Sequence, residues 1–463
     1  MRRFLGARSA RSFSAAADAA AATPAPAAAP TWTSLGLPSF LLGKLAKSGI
    51  GAPTPIQVAA VAPLVADLTR PPRDALIHAE TGTGKTLAYL LPALARLAPR
   101  AVPAARLRAV VVVPTRALAH QVAAVAEALG GVGRNKDPQR ALRVLKVVGE
   151  VSAQTLHELR EAPPQLLVGT PHTLAKLLPA HVNTGELEVL VLDEADELLR
   201  VHNVAATRAL VGLARAHKGR PGIFAVSATS SFGLEKFARE SLRAPPALLV
   251  ADLTGGAMAT PATLRHALVR VPRADAVFNT FTRLLAALRP AATLCFHNSA
   301  ASLEALEVHL RAKGVRVGVL GAAYSNAAKA RALDALACGR AAVLLSTEMA
   351  ARGLDLPRLT HVVNFDPAAS LREYVHRAGR VGRLSSTAPG RAGVVVSFAG
   401  SDAEADTLVD MATELGVGLD ELSFEAGLPI TAPLVAPAAD MAAHRAALAR
   451  SSRTIRLKSL AAV

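Results

Sequence analysis

The feature that most constrains this chain is a repeated alternation of short, unbroken apolar runs with longer segments of helical spacing. Ala75–Ala79, Arg108–Val113, Gln165–Val168, Val189–Leu192 and Ile223–Val226 are such runs, separated by segments such as Thr86–Leu97 and Ala117–Leu129. A strand with one wet face alternates apolar and polar residues, whereas a strand that is apolar throughout has to be covered on both faces. The alternation therefore predicts a parallel sheet with helices on either side. It breaks near Ala251–Thr263, at Gly255-Gly256 and Pro261, and then restarts. Leu264–Val271, Thr293–Phe296, Val315–Leu320, Ala342–Leu345, His361–Asn364 and Ala392–Phe398 read as the strands of a second α/β unit. The expected organisation is a leader and spacer over 1–33, a first α/β domain over 34–250, a linker over 251–263, a second domain over 264–410 and an extension over 411–463. With 463 residues, 51% of them hydrophobic, each domain has enough apolar side chain to bury its own core.

The two ends differ from this body. Arg2, Arg3, Arg8 and Arg11 lie among serines and small apolar residues with no acid before Asp18, the composition of an organellar transit peptide. Arg11-Ser12-Phe13-Ser14 resembles a mitochondrial presequence cleavage pattern, so a disordered mitochondrial leader is expected, with the chloroplast as the alternative. The longest uncharged stretch, Ala19–Gly43, is long enough for a bilayer but is mostly Ala with Pro24, Pro26, Pro30 and Pro38, so no membrane span is expected. The last residues, Met441–Val463, carry Arg445, Arg450, Arg453, Arg456 and Lys458 and no acid, which suits either an RNA tether or a solvated helix. The formal charge is +17, from 52 Lys plus Arg against 35 Asp plus Glu. Such an excess points to a polyanion partner, or equally to a compositional preference for arginine. Cys295 and Cys338 are the only cysteines and form no CxxC, which argues against a disulfide framework or a structural zinc.

After the first strand comes Ala79-Glu80-Thr81-Gly82-Thr83-Gly84-Lys85-Thr86, opening a helix. This is P-loop spacing, with Ala79 where the common pattern has Gly. Glycines at 82 and 84 allow the close backbone approach that points N–H groups at phosphate oxygens. Lys85 would bridge the terminal phosphates of a nucleotide and the Thr86 hydroxyl would face Mg²⁺. The apolar run Val189–Leu192 ends in Asp193-Glu194-Ala195-Asp196. Asp193 suits a hydrated Mg²⁺ opposite Thr86, and Glu194 suits the general base that polarises the attacking water.

A P-loop followed by the literal sequence Asp193-Glu194-Ala195-Asp196 resembles the DEAD-box family of ATP-dependent RNA helicases. Gly49-Ile50-Gly51-Ala52-Pro53-Thr54-Pro55-Ile56-Gln57 resembles that family's Q motif, with Phe40 at the upstream aromatic position. The resemblance implies adenine read by the Gln57 amide and stacked on Phe40, and hence ATP. Ser227-Ala228-Thr229 is similar to the motif that couples the nucleotide and RNA sites through hydrogen bonds with Asp196. Ser346 to Asp355 resembles motif five, implying Thr347 at the RNA and Gly353 and Asp355 near the ribose and the attacking water. His376-Arg377-Ala378-Gly379-Arg380-Val381-Gly382-Arg383 resembles motif six, implying a coupling role for His376 and arginine fingers at Arg380 and Arg383. Pro114-Thr115-Arg116, Gly149 and Thr170-Pro171 resemble the motifs that grip the RNA backbone.

The departures cluster on the RNA side. Ala117 stands for the usual Glu, Glu150 for a Gly, His172-Thr173 for Gly-Arg, Asn326-Ala327-Ala328-Lys329 for Gln-x-x-Arg, and Glu348 for an Asp. The resemblance thus implies two RecA-like parallel-sheet domains in tandem that bind ATP with Mg²⁺, act as a monomer and hold RNA mostly by its backbone. The implied function is ATP hydrolysis driving RNA unwinding or remodelling in organellar RNA metabolism or ribosome assembly. The competing reading is an ATP-gated RNA clamp or assembly scaffold with weak unwinding.

Overall fold

The computed structural model describes residues 30–435 except 67, 80–81, 98–105, 131–141, 229–231, 244–246, 251–259, 261–263, 272, 274–275, 289, 291, 322, 352–355, 357, 382–392 and 426–427. The basic leader, the basic tail and all of the linker but Thr260 lie outside the described residues.

The first sheet contains β1 (Ala75–His78), β2 (Ala109–Val112), β3 (Val144–Val147), β4 (Leu166–Gly169), β5 (Val189–Leu192), β6 (Gly222–Ser227) and β7 (Ala247–Val250). Its order is β3-β4-β2-β5-β6-β1-β7, and every pairing is parallel. The second contains β8 (Leu264–Arg270), β9 (Thr293–His297), β10 (Val317–Leu320), β11 (Val343–Thr347), β12 (His361–Asn364), β13 (Gly393–Ala399), β14 (Leu419–Glu425) and β15 (Leu428–Val435). Its order is β10-β11-β9-β12-β13-β8-β14-β15, parallel except for the closing hairpin β14–β15.

Continuous apolar sequence follows from this layering. Successive side chains of a strand point to opposite faces. In β5, Val189 and Val191 enter one core of the first domain while Leu190 and Leu192 enter the other. The second sheet repeats the device, with Leu344 in one core and Val343 and Leu345 in the other.

Two expected boundaries differ from the structure. Trp32 and Leu35 are already buried in the first core, so packing begins before residue 34. The expected end of the second domain at 410 falls inside the helix Asp402–Leu415, whose Ala405, Leu408, Met411, Ala412 and Leu415 are all core residues. The chain then pairs β14 with β8, carrying the second sheet on to Val435. Among the described residues no helix is long and apolar enough to cross a membrane.

Strand order positions the site. In an open parallel sheet, ligands bind beyond the carboxyl ends of the strands. The loops leaving β5, β6 and β1 carry Asp193–Asp196, Ser227 and the P-loop. Those leaving β3, β4 and β2 carry Gly149, Thr170 and Pro114–Arg116. One sheet edge thus carries the loops expected at the nucleotide and those expected at RNA side by side.

Candidate functional site

The phosphate cradle is built from backbone. After Ala79 the chain reaches Gly82 at φ 82° and Gly84 at φ 90°, then enters the helix Lys85–Leu97. A Cβ on Gly84 would lie 2.2 Å from Nε2 of Gln57, so both space and torsion demand glycine. Thr54 Oγ1 donates to the Thr83 carbonyl at 2.7 Å, and Gln57 Nε2 donates to the Gly84 carbonyl at 3.1 Å. Gln57 Oε1 in turn accepts the Thr54 N–H at 2.8 Å. The buried Gln57 amide therefore braces the P-loop, and it keeps a second N–H and a second lone pair for a base edge. Phe40, 36% exposed, is one of the few large apolar side chains left at the surface. Lys85 Nζ donates to the Ala79 carbonyl at 2.8 Å, folding across its own loop. Ala79 N–H donates to the Ser227 carbonyl at 3.3 Å, joining this loop to the strand end that precedes Ala228.

The acidic loop beside it is differentiated by burial. Asp193 and Asp196 are buried, whereas Glu194 is half-buried and takes a left-handed backbone at φ 50°. Positive φ is strained for a residue with a Cβ, and such strain persists where surrounding structure imposes it. Asp193 Oδ1 accepts the Glu194 N–H at 2.9 Å and Oδ2 accepts the Tyr89 hydroxyl at 2.8 Å. Tyr89 is the residue missed in the sequence: its hydroxyl also hydrogen-bonds to Thr86, so it links the two groups expected to face Mg²⁺. Its spacing of i+3 from Thr86 on one helix face was the available signal. Burial raises the Asp193 carboxyl above its ordinary range, against the opposing effects of the Tyr89 hydrogen bond and the Lys85 charge. A buried carboxylate and a hydroxyl brought together in this way form an oxygen donor set of the kind Mg²⁺ takes.

On the half expected to meet RNA, Gly149 sits at φ 68°, and a Cβ there would lie 2.8 Å from Arg116 Nη2. The family's glycine pair thus keeps glycine where the torsion demands it, and Glu150 needs no positive φ. Thr173 Oγ1 donates to the Gly149 carbonyl at 3.3 Å and lies 3.1 Å from Thr170 Oγ1. His172 Nε2 donates to the His202 carbonyl at 2.7 Å. Thr115 Oγ1 accepts the Leu118 N–H at 3.2 Å, starting the helix that carries Arg116. Arg116, Gly149 and Thr170 come together, with Pro114 in the same loop.

In the second domain Thr347 closes β11, half-buried. His376 is half-buried on the helix Leu371–Ala378, and Arg380, buried just beyond it, donates from Nε to the His376 carbonyl at 3.3 Å. Arg377 is a second residue whose role the motif did not reveal. Its guanidinium is fully buried over Phe296 at 5.2 Å, and it donates to Asn298 Oδ1 at 2.7 Å, to the Asp366 carbonyl at 2.9 Å and to Glu373. It anchors the motif-six helix to the ends of β9 and β12 rather than facing the cleft. Glu80, Thr81, Thr229, Gly353, Asp355 and Arg383 lie outside the described residues.

A phosphate cradle on one parallel sheet, acids at a neighbouring strand end and arginines on a second sheet define a two-domain P-loop nucleotide-binding protein. The DEAD/DEAH box helicase family model matches residues 54–237, and the helicase conserved C-terminal domain matches 276–385. The ATP-dependent rRNA helicase rrp-3 of Neurospora crassa is 30% identical over 399 residues, 85% of this chain and 72% of that protein. The chain belongs to the DEAD-box family of ATP-dependent RNA helicases, whose members hydrolyse ATP. The RNA helicase CrhR of Synechocystis sp. is 30% identical over 351 residues, 76% of this chain and 67% of that protein. The chain spans 61% of the length of the ATP-dependent RNA helicase RhlB of Xanthomonas oryzae and 73% of the DEAD-box ATP-dependent RNA helicase CshA of Geobacillus kaustophilus. Two solved structures share the fold. Dbp5 of S. cerevisiae bound to RNA and ADP BeF3 has a TM-score of 0.72 at 22% identity, over 91% of this chain and 99% of that one. Mss116p bound to ssRNA and AMP-PNP has a TM-score of 0.71 at 21% identity, over 83% and 78%.

Proposed function

We propose that this chain hydrolyses ATP to ADP and phosphate and uses the cycle to separate or remodel RNA held by its backbone. The observation that carries the reading is the shared sheet edge, where the P-loop and the acidic loop adjoin the cluster of Arg116, Gly149 and Thr170. Lys85 exchanges the Ala79 carbonyl for phosphate oxygens when ATP binds. Glu194 accepts a proton from the attacking water as its oxygen bonds to the γ-phosphorus, and the bond to the ADP oxygen breaks. Arg380 and Arg383 donate to the transferring group from the opposite domain, so chemistry waits on closure. Thr86 and Asp193 would hold Mg²⁺, which would neutralise charge on the phosphate oxygens.

RNA grip is weakened relative to the ATP side, because the departures from the family pattern cluster on RNA-side motifs. Threonine at 173 and asparagine at 326 replace longer side chains that would reach phosphates, while Lys329 and backbone N–H groups remain. The expected result is RNA-stimulated ATP turnover with poor duplex separation when both are measured on one preparation. Unwinding as strong as the stimulation would overturn the weakened grip. The clamp reading draws on the same departures: long RNA residence with a non-hydrolysable ATP analogue and little multiple turnover would favour it.

The monomeric state and the compartment are further proposals. Arg2, Arg3, Arg8 and Arg11 support a mitochondrial address, with the chloroplast as the alternative, and place the activity in organellar RNA metabolism or ribosome assembly. Residues 1–40 fused to a fluorescent reporter are expected to direct it to mitochondria, and a diffuse cytosolic signal would refute this.

A further inference from the structure

The two domains touch through Asp196 of the expected site and Arg372, which lies outside it. Arg372, in the first turn of the helix Leu371–Ala378, places Nη2 2.6 Å from Asp196 Oδ2 across the domain boundary. The Asp196 side chain is 2% exposed and that of Arg372 25%. The other carboxylate oxygen of Asp196 accepts the Glu197 N–H at 3.1 Å. Charges that meet in so dry a place attract far more strongly than a surface pair, and the planar guanidinium suits a carboxylate. A second contact crosses the same boundary. Ala117, on the first domain's helix Arg116–Gly130, packs half-buried against the apolar core of the second domain, as does Leu371 from within that domain. Ala117 stands where the family pattern has Glu, and a carboxylate there would lose water against an apolar surface.

Both contacts exist only while the cleft is closed, so their free energy shifts the open–closed equilibrium toward closure. Arg372 and His376 are four residues apart on one helix face. The ion pair therefore also sets the orientation of the helix that carries His376 and leads into Arg380.

We propose that Arg372 is a positioning residue that latches the closed cleft onto Asp196, allowing ATP to close the domains with less help from RNA. This rests on the RNA-dependent ATPase reading above. It explains how a chain with a reduced RNA grip can still close, since closure no longer depends on RNA contacts alone.

The test uses the full chain carrying one dye on the exposed native Cys338 and its partner on Val201→Cys, a 94% exposed site in the first domain; Cys295 is buried. With AMP-PNP and no RNA, the unsubstituted protein is expected to show a closed population. Arg372→Ala should lower its closed-to-open ratio about tenfold, Arg372→Glu further, and Arg372→Lys should retain an intermediate ratio. The RNA concentration for half-maximal ATPase should rise in step, while turnover at saturating RNA is largely recovered. A residue needed only for folding would instead lower turnover at every RNA concentration. Equal closed populations in Arg372→Ala and the unsubstituted protein overturn the latch, as does the absence of closure in both. RNA-stimulated ATPase of the unsubstituted protein, measured in parallel, separates these outcomes from failure of the ATPase reading itself.

Discussion

Glu194→Gln lowers ATP turnover by about 10²- to 10⁴-fold while nucleotide binding persists. Asp193, Glu194 and Asp196 are the three acids of the motif that follows β5. Asp193 is held through both oxygens by Tyr89 and the Glu194 N–H, and Asp196 through both by Arg372 and the Glu197 N–H. Glu194 is the half-buried one of the three and takes a left-handed backbone. Glutamine has nearly the same shape and keeps a hydrogen bond to water, but it cannot take the proton. Steady-state ATPase measured together with fluorescent-nucleotide affinity separates the two effects. Unchanged turnover would remove Glu194 from the proton-accepting role. Lys85→Ala is the contrasting variant, because it deletes the cation that meets the phosphates and should weaken binding as well as turnover.

Asp74→Ala destabilises the protein by about 3 kcal/mol, because it leaves buried donors and two arginines without their anion. Asp74 precedes β1 at the edge of the sheet opposite the site, and its side chain is fully buried. Its Oδ1 accepts the Ile223 N–H at 3.0 Å and Arg243 Nη2 at 2.9 Å. Its Oδ2 accepts the Arg243 N–H at 2.6 Å and Arg215 Nη2. One carboxylate thus ties the starts of β1 and β6 to the ends of two helices. The arginines are 26% and 35% exposed and recover part of their hydration after the substitution, which holds the cost near the lower end for a broken buried pair. For a domain of this size the melting temperature should fall by roughly 6–12 °C, read by thermal unfolding. Retention of the original melting temperature would refute the anchor.

The same group sets a pH dependence. Burial alone would raise the Asp74 carboxyl, but the hydrogen bonds from Arg243, Arg215 and Ile223 prevail and lower it. A carboxyl depressed in the folded state contributes stability above its unfolded value of 3.8 and loses it as pH falls further. Wild-type stability should therefore drop more steeply in this acid range than that of Asp74→Ala.

Legibility in the sequence followed burial. β5 matches its expected bounds because every residue of Val189–Leu192 is buried and apolar. β3 was not among the expected strands: Lys146 interrupts it and three of its four residues are half-exposed, as suits a sheet edge. β14 mixes Asp420, Glu421 and Ser423 with its apolar residues, so the second domain seemed to end at 410 although its sheet continues. The P-loop and the acidic loop were readable for another reason. Each is a contiguous run whose chemistry depends on torsions and charges supplied within a few residues.

The local pattern by itself determined the layered parallel architecture, its division into two units and the two loops that meet a nucleotide, because strand burial and glycine torsions are short-range properties. Only the tertiary structure decided what those loops touch. Tyr89 meets Asp193 across 104 positions of sequence, Asp74 meets Arg243 across 169 and Asp196 meets Arg372 across 176. These pairings depend on strand order and on closure of one domain against the other. Their energies come from partners brought together in a dry interior, which no periodicity along the chain records.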